Sequence, residues 1–386
     1  MSNIRRKMKN IAIIRTSGSI IDLDKYNCQE LGLAKALVKK GFKVSLILAG
    51  NKNISCKIFV NDNNYVQIYY VKCYEIDQAL AWFINWKNIV DKIKPDIIQI
   101  HDFGLFMSYM ILNWAKKNKI KTVLIQGNYQ TTHKPILKLL ERVYNKTFGV
   151  YILKYVDGIG CKTIYANKYI QSYFQRETYL TPVGLDTEKF QFHEKINWRH
   201  ILHIEDKKVL LYIGVLEKRR NPLFLIDVLA TLSSDYVLII VGKGSMRQKV
   251  QEYAKHLEIG SRCILFNGFV QEDLPSLYQT ADVFLLASNY EIYGMTIIEA
   301  MYFSLPVIAS LTAGAQTLII NDVNGIIINK FDIYEWSNAI KRIVEDKEIL
   351  NSIGKNSKEL VENHLLWEQT VNSYIELYDK ILSNQN

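Results

Sequence analysis

The chain has 386 residues, 49% of them hydrophobic and 22% charged, which suits a globular protein of two or three ordinary domains and excludes a disordered chain. No apolar run approaches the ~20 residues that span a bilayer. The five scattered cysteines lack a C-x-x-C pair, so free thiols in a reducing cytoplasm are expected rather than a disulfide framework or zinc site. Net charge is +10 but unevenly divided. Residues 1–190 carry 29 Lys and Arg against 14 Asp and Glu, and residues 191–386 carry 19 against 24, so the first half is +15 and the second −5. A basic half suggests an anionic membrane surface or nucleic acid as partner. No stacking-aromatic basic motif, zinc spacing or recognition helix accompanies it, and no nucleic acid is expected.

The N-terminal text reads as a first strand, Ile11 to Ile14, and not as a signal peptide. A small-residue loop, Arg15 to Ser19, precedes a helix pattern (Leu31, Leu33, Ala34, Leu37, Val38) closed by Gly41, and then a second strand, Val44 to Leu48. Gly18 and Ser19 therefore occupy the first strand-to-helix turn, a place for a phosphate, although the loop lacks G-x-G-x-x-G and does not favour a nicotinamide dinucleotide. Residues 51–80 read as a β-rich excursion and 81–94 as an amphipathic helix ending before Pro95. Asp96 to Ile100 is a buried strand with His101 at its carboxyl end, placed to bind a sugar or shuttle a proton, or simply to cap the next helix. Thr122 to Ile125 is the next strand, followed by Gln126, with His133 in the loop beyond.

Within 134–155, Lys134, Lys138, Arg142 and Lys146 recur every four residues opposite Ile136, Leu137, Leu139, Leu140 and Val143. Such a helix either lies on an anionic bilayer or packs on the core with a solvated basic edge. Strand patterns at 156–161 and 178–185 close a first domain of residues 1–186, with a hinge near 186–205 and a second domain of 187–386. Val209 to Ile213 opens that second domain and runs into Gly214 and a basic turn containing Lys218, Arg219 and Arg220. Tyr236 to Val241 ends in Gly242, a point of close backbone approach; a strand from Cys263 to Phe266 leads to Gly268 and Val270.

The most informative stretch is ASNYEIYGMTIIEAMYFSLPVIAS, Ala287 to Ser310. Its strand–loop–helix–strand grammar belongs to an α/β domain, whose ligands sit beyond the carboxyl ends of the strands. Gly294, Met295 and Thr296 open the helix and present backbone N–H groups to an anion. Glu291 and Glu299 flank that junction, so a phosphate can rest on the amides while carboxylates take hydroxyl groups. The ligand this describes is a phosphorylated sugar or a sugar nucleotide. Three amphipathic helix patterns, 333–344, 348–362 and 367–382, end the chain.

The run Glu291, Glu299, Ala300, Met301, Pro306, Val307, Ile308 and Ala309, an E-x7-E followed by A-M-x-x-x-x-P-V-I-A, resembles the donor signature of family 4 glycosyltransferases. PDIIQIHD (95–102) and PVGLDTEKF (182–190) resemble other segments of that family. The resemblance implies a GT-B fold: α/β, two Rossmann-like domains facing across a cleft, with the final helix returning to the N-terminal domain. It implies a retaining transfer from a nucleotide-diphosphate sugar, Glu291 and the 294–296 amides holding the sugar and Glu299 the ribose. Gly18 and Ser19 would face the donor phosphates or the acceptor, and the segment at Val270 the nucleobase. Gln126 stands where many relatives carry a sugar-contacting histidine, and His133 is a candidate substitute. Val215 stands where relatives carry an arginine, so the diphosphate clamp falls to Arg220 and then Arg219. Thr317 stands where a glutamate is common. No cofactor or metal is implied beyond the donor. The acceptor would be a saccharide or lipid-linked saccharide of a bacterial capsule, exopolysaccharide or lipopolysaccharide, handled in the cytoplasm or at the inner face of the membrane. A nucleotide-sugar epimerase of similar fold is the alternative enzyme, and a non-enzymatic basic membrane- or nucleic-acid-binding protein is the alternative from another class.

Overall fold

The computed structural model describes residues 8–23, 27–77, 80–132, 135–190, 196–268 and 273–383. These form two compact units: one made of residues up to 23, 28–184 and 367 onward, the other of 185–366 together with Asn27.

In the first unit β1 (Asn10–Ile14), α1 (Gln29–Lys39) and β2 (Lys43–Gly50) form a parallel β-α-β. Next come β3 (Ile54–Phe59), β4 (Tyr65–Asp77), β5 (Leu80–Phe83), α2 (Trp86–Ile93), β6 (Ile97–His101), α3 (Phe106–Lys117) and β7 (Lys121–Gln126). After these are α4 (Pro135–Tyr144), a π-helical turn (Asn145–Gly149), α5 (Val150–Tyr155), β8 (Gly158–Cys161), α6 (Ile164–Gln171) and β9 (Tyr179–Leu180). The sheet order is β3-β4-β2-β1-β6-β7-β8-β9, with β5 also paired to β4. All pairings are parallel except β3/β4 and β4/β5. β1 past Asn10 and the interior of β7 are continuous apolar runs, as strands covered on both faces require, and β6 is wholly buried although it carries Gln99 and His101.

Two expectations fail here. Residues 80–83 form a strand and not the start of a helix. Leu80 and Trp82 are exposed while Ala81 and Phe83 are buried, the period of two that pairing with β4 exploits. The 134–155 segment is not one continuous helix either. The π turn interrupts it where buried Asn145 donates to the Tyr169 hydroxyl at 3.1 Å. A Cβ on Gly149 would lie 2.7 Å from the Phe103 ring, so only glycine allows that approach.

The second unit contains α7 (Trp198–Ile201), β10 (Lys208–Ile213), α8 (Pro222–Thr231), β11 (Tyr236–Val241), α9 (Arg247–His256), β12 (Cys263–Phe266) and α10 (Leu274–Thr280). It continues through β13 (Val283–Leu286), α11 (Met295–Tyr302), β14 (Val307–Ser310), α12 (Ala313–Leu318), β15 (Gly325–Ile328), α13 (Ile333–Val344) and α14 (Lys347–His364). Its sheet is wholly parallel, in the order β12-β11-β10-β13-β14-β15. This is the doubly wound arrangement, with its switch point between β10 and β13. Local chemistry agrees with the topology: Pro222 opens α8, and Asp332 and Asp346 cap α13 and α14 through their carboxylates. The last helix, α15 (Trp367–Ser383), belongs to the first unit, where the indole of Trp367 lies against Gly32 of α1. A Cβ at Gly32 would sit 2.0 Å from its Nε1.

Candidate active site

The switch point of the second unit is where β10 and β13 release their loops in opposite directions. The β10 loop turns through Lys218–Arg220, and Asn221, in the left-handed region at φ 48°, starts α8. Asn221 Nδ2 donates to Ala287 O at 3.0 Å, and the Asn289 amide donates to Arg219 O at 2.8 Å. These bonds tie the basic turn to the loop that follows β13.

Across that tie, Arg220 Nη1 donates to Ser288 Oγ at 3.1 Å and forms an ion pair with Glu291. Both side chains are about one-seventh exposed, so the pair is shielded but still reachable. Arg220 Nε is buried without a hydrogen-bond partner. Arg219 is more open; its Nε reaches Glu217 at 3.0 Å and its Nη1 the Tyr290 carbonyl at 3.4 Å. Val215 is exposed on the same loop.

Beyond Glu291 the chain passes Gly294, whose φ of 85° makes the sharp entry to α11 natural for glycine. Met295 and Thr296 begin the helix, where amides precede any helical acceptor. Gly314 donates its N–H to Glu291 O at 3.1 Å, and a Cβ there would lie 2.6 Å from the Tyr293 backbone. Sequence reasoning missed this role of a glycine in the first turn of α12.

One turn into α11, Glu299 is 3% exposed. Its Oε2 accepts from the Tyr278 hydroxyl at 2.8 Å, and the Asn27 side chain also hydrogen-bonds to it. Burial raises its pKa to about 7 despite those two bonds. The Tyr278 ring stacks on Phe303 at 5.2 Å, which fixes the hydroxyl that orients the carboxyl. Tyr278 and Asn27 were also missed, because nothing in their local sequence points to Glu299.

Gly242 serves loop packing: a Cβ would meet Gly214 O at 1.9 Å, and Leu216 N donates to Lys243 O at 2.7 Å. Val270 and His133 lie outside the described residues. Thr317 bonds back to Ala313 O at 2.7 Å within its own helix.

The remaining expected residues gather at the carboxyl edge of the first sheet. Gly18 fits against Ala81 and Glu75, where a Cβ would come within 2.9 Å of both, and Arg15 Nη1 donates to Ser19 O at 2.8 Å. His101 is buried, with Nε2 3.2 Å from Gln99 Nε2 and Nδ1 3.9 Å from Glu30. Burial lowers its pKa to about 3, so the ring is neutral near pH 7. Burial raises Glu30, but its neighbours His101, Arg15 and Lys162 outweigh that and hold the carboxyl below its ordinary range. Gln126 Oε1 accepts from Phe103 N at 3.1 Å, and its Nε2 donates to Asn128 O at 2.8 Å. Its amide therefore braces two loops, where the resemblance implied a hydrogen-bonding contact to a sugar. Asp102 adds to the brace, accepting from the Gly127 and Asn128 amides at 2.7 and 2.9 Å. Among the described residues, no group of three His, Cys, Asp or Glu side chains is arranged to hold a metal ion.

Two doubly wound units, the second with paired glutamates and an arginine at its switch point, define a GT-B glycosyltransferase. Residues 194–360 match the model of the glycosyl transferases group 1 family. An uncharacterized glycosyltransferase of Methanocaldococcus jannaschii is 25% identical over 90% of this chain and 92% of its own length. The UDP-Gal:alpha-D-GlcNAc-diphosphoundecaprenol alpha-1,3-galactosyltransferase of Escherichia coli is 28% identical, over 53% of this chain and 54% of its own. Anabaena HepE, solved in complex with UDP, superposes with a TM-score of 0.76 at 16% identity, over 97% of this chain and all of that one. The chain is thus an enzyme that transfers a glycosyl group.

Proposed function

We propose that the protein is a retaining transferase that moves a sugar from a nucleotide-diphosphate donor to a hydroxyl on a lipid-linked or growing surface saccharide. The observation that carries this reading is the Arg220–Glu291 pair beside the N-terminus of α11, with Glu299 one turn further on. Glu299, oriented by Tyr278 and Asn27, is the carboxylate offered to the ribose hydroxyls. Arg220 spends Nη1 on Ser288 and Glu291, and the rest of its partly exposed guanidinium carries the charge for a phosphate oxygen. It can hold Glu291 in place and neutralise the departing diphosphate together. The α11 N-terminus adds fixed positive potential at the same point. Stabilising the leaving group's charge is the largest catalytic demand, and the acceptor hydroxyl would attack from that same face.

The reading extends to the acceptor's location. The Escherichia coli relative acts, by its name, on a diphosphoundecaprenol-linked sugar. In α4, Leu139, Leu140 and Val143 are each more than half exposed, with Arg142 exposed beside them. No helix among the described residues is long and apolar enough to cross a membrane. An amphipathic helix resting on the anionic inner face of the membrane fits these facts.

The test is a thermal-shift and nucleotide-release screen of UDP-, GDP- and ADP-sugars, wild type beside Glu299→Ala, with and without EDTA. One nucleotide series should stabilise the wild type, with or without EDTA, and fail to stabilise the variant. Release of nucleoside diphosphate should accelerate with acceptor. If no nucleotide stabilises the protein at millimolar concentration, the donor-site assignment is wrong.

A further inference from the structure

The antiparallel extension β4–β5 has two very different faces. On one, Ala81 and Phe83 are buried. On the other, Leu80, Trp82 and Ile84 are 50, 54 and 37% exposed, and Tyr74, the cross-strand partner of Trp82, is 57% exposed. Ile76, beside the register irregularity near the end of the hairpin, is 91% exposed. An uncovered face this rich in large apolar groups costs solubility and calls for a partner.

This face continues toward α4. The Trp82 ring lies 5.3 Å from that of Phe106, which begins α3. One turn on, Tyr109 meets Phe148 of the π turn at 4.7 Å, and Phe148 contacts Tyr144 at the end of α4. The Tyr144 hydroxyl also donates to Leu105 O at 3.1 Å. An aromatic chain within one unit thus joins the hairpin to the exposed leucines of α4.

The charge around this surface selects the partner. Lys72 sits 5.1 Å from the Tyr74 ring, Arg142 and Lys146 are exposed, and residues 1–190 carry a net +15. Of the nearby acids, Glu141 is tied to the Thr132 amide and Glu75 lies against Gly18 on the inner side. Tryptophan and tyrosine with interleaved cations match the headgroup layer of an anionic bilayer, where ring and ammonium each find their preferred depth.

We propose that the outer face of the β4–β5 hairpin is a second lipid-contact element, placing Trp82 and Leu80 in the headgroup region beside α4. The proposal rests on the membrane reading given above and adds a separate element to it. The hairpin's inner face touches Gly18, so the lipid-bound strand also supports the loop that follows β1.

The experiment is co-sedimentation of the full chain with phosphatidylglycerol–phosphatidylcholine vesicles, combined with tryptophan quenching by brominated lipid. Leu80→Ser/Trp82→Ser should weaken vesicle partitioning roughly tenfold, as removal of two buried apolar side chains predicts. Trp82→Phe should still sediment but lose most of the lipid-quenched fluorescence, which separates contact from misfolding. If the hairpin variant sediments like wild type and Trp82→Phe keeps all the quenching, while Leu139→Ser/Leu140→Ser detaches, the hairpin proposal is overturned and the α4 reading survives. If wild type itself ignores the vesicles, both fail. Self-association of wild type without vesicle binding, abolished by the hairpin substitutions, would overturn it in favour of a protein contact.

Discussion

The two sheets share a strand order around their switch points but use the space beyond the strands differently. At the end of β6 and β7 the polar side chains are turned inward: Gln126 and Asp102 are filled by backbone partners, and His101 is neutral and buried. At the end of β10 and β13 the polar side chains are held by few bonds. Arg220 keeps an unpartnered Nε, and Glu299 is oriented by Tyr278 and Asn27 with its carboxyl raised to about 7. Equivalent topology therefore produces a satisfied brace in one unit and, in the other, the ion pair and raised carboxyl proposed above to bind the donor. The difference is one of side-chain satisfaction, and satisfied groups have little hydrogen-bonding capacity left for a ligand.

The largest test of this contrast is Arg220→Ala. It should lower kcat about 10²–10³-fold, the scale of losing a group that stabilises leaving-group charge. Arg220→Lys should recover only part of this, since an ammonium cannot fork between Ser288, Glu291 and phosphate. Steady-state kinetics with the preferred donor will show it. Wild-type rates in the alanine variant would mean that the charge is neutralised elsewhere.

Next in size is the pH response of donor binding. Burial pushes the Glu299 carboxyl up to about 7, so under the proposed ribose contact its ionised form grows as pH rises through that value and nucleotide affinity should rise with it. Below pH 6 the affinity should fall by up to about tenfold per pH unit. In the free protein the sign for stability is opposite. A carboxyl raised from 4.5 to about 7 favours folding most below 4.5, and this contribution is lost as pH climbs to 7. Calorimetry across pH 5–8 checks the binding slope, which should vanish in Glu299→Gln. Tyr278→Phe removes a bond that lowers the carboxyl's pKa, so it should move the midpoint upward.

Smaller effects are expected in the first unit. Gln126→Ala leaves the buried Phe103 amide without its acceptor and should cost about 1–3 kcal/mol in denaturant unfolding. A much larger fall in kcat at unchanged stability would instead give Gln126 a role with the sugar. His101 adds a pH signature: its pKa falls from 6.5 to about 3 on folding, so its contribution is full above 6.5 and is lost as pH drops toward 3. His101→Gln should flatten that part of the thermal stability profile. An unaltered profile would place the acid sensitivity in other groups.

Much of this was legible in the sequence because it is local. The apolar runs of β1, β10 and β13, the glycine at the α11 entry and the spacing of Glu291 and Glu299 are written in contiguous residues. Arg220 could be chosen over its neighbours only by family spacing, whereas its contact with Glu291 is across the fold. The expected helix at 81 was the opposite case: tryptophan, phenylalanine and isoleucine fit either period, and pairing with β4 decided for strand. The same held for 134–155, where helical periodicity was correct on both sides of the interruption but could not foresee what Asn145 and Gly149 meet.

By itself, then, the sequence determined the α/β class and the chemistry available at each strand end. Those follow from short-range periodicity and residue type, which the chain carries wherever it lies. Tertiary structure decided which of those groups remain available. It filled Gln126, neutralised His101, raised Glu299 and left Trp82 in the open, because desolvation and hydrogen-bond satisfaction depend on neighbours that are distant along the chain.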